Sequence, residues 1–133
     1  MTLNEAIAAA DAIKPNAFSS ADKVRLINEV EGMVQTEVFL FASEQVITYT
    51  TDDLVPAGKI TLLVAPPHDK LYVAYLVAMI DFMNNEYDKY QNTVAMFNAH
   101  YREFKKWFAL NYRPQFTHEK TYRNEREVNT DEL

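Results

Sequence analysis

The 133-residue chain has no cysteine. That excludes a disulfide framework, thiolate metal sites and cysteine nucleophiles, and it fits a reducing cytoplasm. Glycine is nearly absent as well, with only Gly32 and Gly58. Glycine-rich phosphate loops and folds built from many tight turns are therefore disfavoured. Long apolar runs are missing too. The longest, Leu71 to Ile80, covers ten residues between Lys70 and Asp81, whereas a membrane span needs about 20. No membrane contact is expected. The opening MTLNEAIAAADAIK is broken by Asn4, Glu5 and Asp11, so no secretory signal is expected either. Basic side chains are outnumbered 13 to 19, for a net charge of −6. Such a chain has no electrostatic reason to hold a phosphate backbone.

Motifs that carry chemistry are also scarce. His68, His100 and His118 lie 32 and 18 residues apart with no metal-ligand spacing. Asp52 and Asp53 are adjacent carboxylates, but the oxygen-rich series of a calcium loop is missing around them. They read as a solvated turn. Glu29, Glu31, Glu37 and Glu44 read as a charged helix face, with no nucleophile to pair with. Lys105 and Lys106 beside Trp107, with Arg102 before them, form a basic-aromatic patch of the kind that holds single strands. Glu103 dilutes it, and lysines near a helix C-terminus are expected from the helix dipole alone. No nucleophile–base pair can be assembled, so an enzyme, a cofactor and a metal are not expected.

What the chain does have is helical periodicity. A length of 133 residues makes one domain, large enough to bury its own core. Thr2 and Glu5 have capping-box spacing, which predicts a short helix through about Ile13, ended by Lys14-Pro15-Asn16. Ser19, Ser20 and Asp22 mark a second start. From there Val24, Ile27, Val30, Val34, Val38 and Phe41 form one apolar stripe, with Lys23, Asn28, Glu29 and Gln35 on the opposite face toward solvent. Residues 43–67 change character. Val46 to Thr50 and Ile60 to Val64 favour extended chain, with a bend at Pro56-Ala57-Gly58. This predicts a loose two-stranded excursion that leans on the helices or on another subunit.

HDKLYVAYLVAMIDF, residues 68–82, follows as a helix capped by Asp69 and apolar nearly all round. Such a helix sits at the centre of a bundle. Tyr72, Tyr75 and Met79 take one sector, and Leu76, Ile80 and Met83 the next. After a break at Asn84-Asn85, the residues Tyr87, Tyr90, Val94, Phe97, Tyr101, Phe104 and Phe108 recur at spacings of 3, 4, 3, 4, 3 and 4. That is a helix packed lengthwise on a partner helix, with these seven plus Leu76 and Ile80 as the expected core stripe. Pro114 stops it. The fold class expected is mostly α: a bundle of about four helices over residues 1–112, with an extended or hairpin-like excursion at 43–67. Residues 113–133 form a polar tail that orders only on a partner, with Phe116 and Tyr122 as candidate anchors. Tyr49, Asp52, Asp53, Leu54, Ile60 and Leu62 of the excursion are the other candidate interface residues.

The runs EAIAAADAIKPNAFSSADKVRLINEVEGMVQTEVF and LLVAPPHDKLYVAYLVAMIDFMNNEYDKYQNTVAMFNAHYREFKKWF resemble head–tail connector proteins. These head-completion adaptors come from tailed phages and prophages of Gram-positive bacteria. The most specific part is PPHDKLYVAYLVAMIDFMNNEYDKYQNTVAMFNAHY, with its Pro–acid–Leu–Tyr opening, Asn-containing break and Tyr–Asn–Ala–Met–Phe–Asn series. The resemblance covers about residues 3 to 112, and residues 113–133 lie outside it. It implies a virion assembly protein at the head–tail junction, assembled in the cytoplasm of the bacterial host. Its implied partners are the portal, neighbouring subunits of a homo-oligomeric ring (twelve-fold on the portal) and a tail-side completion protein. DNA would pass through without sequence-specific binding, and no residue would be catalytic. A helical binding or regulatory module of phage origin, and a tail-completion protein, are the rival readings.

Overall fold

A computed structural model describes residues 1–112. Four α-helices dominate: α1 (Leu3–Ile13), α2 (Ser20–Met33), α3 (Lys70–Met83) and α4 (Tyr87–Asn111). The fold is mostly α, as expected, and the described residues contain no strand. None of their helices is long and apolar enough to cross a membrane.

The helix ends follow local chemistry. The Glu5 N–H donates to the Thr2 hydroxyl at 3.1 Å, and the Thr2 N–H to the Glu5 carboxylate at 2.9 Å, which completes the capping box. The Asp22 N–H donates to the Ser19 hydroxyl at 3.1 Å. At α3 the expected cap is different. The Asp69 side chain makes no capping hydrogen bond and instead lies 3.3 Å from the Met1 ammonium group. Asn85, at φ 61°, turns the chain between α3 and α4, a backbone region that asparagine tolerates better than most residues.

Three contacts fix how the helices run. Met1 meets Asp69 at one end of α1, and Lys14 lies 2.7 Å from Asp81 at the other, so α1 runs alongside α3 in the same direction. The Thr93 hydroxyl donates to Asp81 at 3.0 Å, and the His68 ring lies 4.9 Å from Trp107, so α4 returns antiparallel. Asp81 is fully buried with both oxygens engaged by these partners. A buried carboxylate is tolerable only when so paired.

Helix α3 is the centre of the body. Leu71, Tyr72, Leu76, Ala78 and Ile80 are buried, with Leu3, Ala6 and Ala10 of α1 and Ile27, Val30 and Val34 of α2 among them in one core. α4 joins through one stripe. Phe97, Tyr101 and Phe104 are buried, while Tyr90, Val94 and Phe108 are half-buried. Tyr87 departs from the expected core stripe: it is 53 % exposed and meets only Phe82 ring to ring, at 5.8 Å. The first turn of α4 overhangs the end of α3, so the heptad spacing outruns the surface available to cover it.

The hairpin does not form. Residues 46–50 and 60–64 do not pair with each other, and among the described residues the only ladder contact is an isolated antiparallel bridge from Thr61 to Thr2. The Leu3 N–H donates to the Ile60 carbonyl and the Leu62 N–H to the Met1 carbonyl, each at 3.0 Å. One arm of the excursion is thus spoken for by the N-terminus. The other is held by side chains of α2.

Candidate interaction surface

Two amides, Asn28 of α2 and Gln35 of the π-helical turn that continues it (Val34–Val38), grip the excursion by its backbone. The Ile47 N–H donates to the Gln35 side-chain oxygen at 2.8 Å, and the Gln35 side-chain NH2 donates back to the Ile47 carbonyl at 3.0 Å. Two residues on, Tyr49 and Asn28 repeat the exchange at 2.8 and 2.9 Å. A primary amide offers a donor and an acceptor side by side, so it can satisfy both groups of an extended residue as a neighbouring strand would. Positions 28 and 35 are seven apart and so share one helix face. Positions 47 and 49 are two apart and so share one edge of extended chain.

Between the two amides lies Glu31, fully buried and, among the described residues, without a cation. Its carboxylate accepts from the Tyr49 hydroxyl at 2.8 Å, from the Leu63 N–H at 3.0 Å, and from the Tyr72 hydroxyl. Tyr72 in turn accepts from the Val64 N–H at 2.9 Å. One carboxylate therefore ties together α2, α3 and both arms of the excursion. The pattern recurs along α2. The Tyr75 hydroxyl donates to Glu29 at 2.7 Å and the Tyr101 hydroxyl to Glu37 at 2.6 Å. Tyrosines thus answer Glu29, Glu31 and Glu37, with Arg25 as a second partner of Glu29 at 2.9 Å.

Burial raises the pKa of all four hydroxyls, with the adjoining glutamates adding to it. The folded protein keeps these phenols neutral where an unfolded chain ionises, near pH 10. Folding stability is therefore fully present below about pH 10 and falls as pH rises past it. Urea midpoints measured across that range should drop. Near-ultraviolet absorbance should show the Tyr49 and Tyr72 phenolates appearing only as the chain unfolds. Ionisation of both in a protein with native circular dichroism would contradict this.

The expected interface residues divide under this geometry. Tyr49 and Leu62 are core residues, 7 % and 3 % exposed, and are not available to a partner. Both belong to the common hydrophobic core. Leu54 and Ile60 are half-buried against the same core. Asp53 accepts from the Thr50 N–H at 2.8 Å, leaving Asp52 as the exposed carboxylate. Phe116 and Tyr122 lie outside the described residues. On α2, the face expected to meet solvent is largely covered: Gln35 and Glu31 are fully buried, and Lys23 pairs with Asp11 at 2.9 Å. The spacing 28, 31, 35 was the available signal. A polar stripe of amide, carboxylate, amide beside an apolar stripe is a built surface, whereas a solvated face has no reason to avoid lysine there.

Among the described residues, three open surfaces stand out. The excursion presents its turn outward, with Val55 75 % exposed beside Pro56 and Ala57. An apolar slot of about 300 Å³ runs between Ile13 of α1 and Met96 and His100 of α4, floored by Val73, Ala74 and Val77 of α3. A second groove of about 490 Å³ lies between the end of α2 and the end of α4. Among the described residues no cluster of His, Asp or Glu could hold a metal ion. No protein-family model, curated protein or solved structure matches the chain.

Proposed function

We propose that the chain is a structural assembly protein of a tailed phage or prophage, a head–tail connector that binds the portal and forms a ring extending the DNA channel toward the tail. Its role is geometric, and no residue is assigned a catalytic part. The resemblance over residues 3 to 112 supports the reading. One structural observation carries it further: the excursion is clamped at both arms, yet its turn is left apolar and exposed at Val55. A turn held in advance by its two arms loses little entropy on docking. An acidic subunit also suits a channel wall, because it does not grip passing phosphate.

The apolar slot floored by Val73, Ala74 and Val77 favours a second reading, a helical module that takes a small apolar ligand. A tail-completion protein is the third, and gene order separates it, since a connector gene lies between capsid and tail genes. The test is to replace Val55 by Asp. Binding to the cognate portal on a sensor surface should weaken at least about tenfold, with the melting temperature unchanged. Full binding by a folded Val55→Asp variant would contradict docking through this turn.

A further inference from the structure

The slot between α1 and α4 differs in chemistry between its floor and its rim. Val73, Ala74 and Val77 of α3 make the floor, at the spacing of adjacent helical turns. On the α1 side only Ile13 lines it. Ala6, Ala8, Ala9, Ala10 and Ala12 make up nearly half of that helix, so α1 does not reach across toward α4. The rim carries Ile13, 63 % exposed, and Met96, 59 % exposed. An apolar floor beneath two exposed apolar side chains is stabilised by an apolar cover.

Charge says what kind of cover. Every lysine and arginine before residue 70 lies within 4.0 Å of a carboxylate: Lys14, Lys23, Arg25 and Lys59. Lys70 has no such partner among the described residues, and Asp69 beside it is turned to the Met1 ammonium group. Lys70 and His100 line the slot, and among the described residues no acid does. Thr93 of α4 meets Asp81, and Trp107 meets His68. His100, midway between Thr93 and Trp107, is therefore level with about Ala74, one turn along α3 from Lys70. The two basic groups thus share one end of the slot, in a chain whose net charge is −6.

The volume, about 300 Å³, is about twice the roughly 150 Å³ that holds a benzene ring. That is room for one alkyl chain of about ten carbons, and too little for the paired chains of a phospholipid. We propose that the slot binds a free medium-chain fatty acid, its alkyl chain along Val73, Ala74 and Val77 and its carboxylate at the Lys70 and His100 end. This gives the ligand of the second reading its chemical class and does not rest on the connector reading. Its test measures ligand alone, so the two can fail separately.

Calorimetric titration of the full-length protein with hexanoate, octanoate and decanoate, each below its micelle-forming concentration, tests the chain. Saturation at one acid per protein is expected, with affinity rising about two- to fourfold per added methylene. Ala74→Leu, which fills the floor, should abolish binding. Lys70→Glu tests the head, at an exposed position in the first turn of α3 that leaves the core untouched. Decanoate should weaken and decyltrimethylammonium tighten, changing the ratio of their affinities at least about fivefold. That arm decides the matter should Ala74→Leu fail to fold. A protein of net charge −6 repels anions in general, so a preference for decanoate that Lys70→Glu reverses comes from the slot. No saturable binding of decanoate, affinity flat in chain length, full binding by a folded Ala74→Leu variant, or a ratio untouched by Lys70→Glu would overturn the proposal.

Discussion

Glu31→Ala is expected to lower the free energy of unfolding by about 3–6 kcal/mol, the cost of stranding three donors at about 1–3 kcal/mol each, less some relaxation. The donors are the Tyr49 and Tyr72 hydroxyls and the Leu63 N–H. The site has no exposure in the parent, and small domains have only about 5–15 kcal/mol in total. The damage should be regional before it is global. Both arms of the excursion hang on this carboxylate, so limited proteolysis should cut within residues 43–67 under conditions where the parent is resistant. Glu31→Gln keeps one acceptor and should lose less. Denaturant unfolding checks the magnitude, and a cost below about 1 kcal/mol for the alanine variant would mean that the hydroxyls find other partners.

Phe104→Ala is expected to cost about 3–5 kcal/mol, as for deletion of a large buried ring. Phe104 is 2 % exposed and sits among Phe39, His68, Trp107 and Phe108, at ring-centre distances between 5.8 and 6.3 Å. α4 is about 37 Å long and has only three buried residues to hold it. Phe104 is the last of them toward the C-terminus. Its loss should free the end of the helix while the Thr93–Asp81 contact keeps the beginning. Amide exchange should accelerate from about Tyr101 onward, and the emission of the single tryptophan, Trp107, should shift to the red. Uniform acceleration along α4 would indicate that the helix packs as one unit.

The helical body was legible because its signals are local and repeated. The Thr2–Glu5 and Ser19–Asp22 caps, the proline after α1 and the paired asparagines after α3 mark ends that depend on few distant contacts. The 3–4 spacing from Tyr87 to Phe108 marks a face whose burial is set by one neighbouring helix. The spacing could not show how far that neighbour extends, which is why Tyr87 lies exposed. The excursion is there, but its two arms do not pair, for a different reason. Val46 to Thr50 and Ile60 to Val64 do favour extended chain, but propensity does not say what an extended chain pairs with. Here the partners are two amides and a carboxylate on α2, and residues of the N-terminus. The same contacts turned Tyr49 and Leu62 from interface candidates into core. Val55, which no periodicity singles out, is left as the exposed apolar residue of the turn.

The most direct test of the connector reading is the mass of the assembly. Light scattering after size exclusion would be run over a concentration series, first on the protein alone and then with its cognate portal. The account predicts ring-sized particles, or a portal complex that survives the column and is lost when residues 43–67 are deleted. A strict monomer that ignores the portal at high concentration would contradict it, and the slot beside α3 would then be the place to look for a ligand.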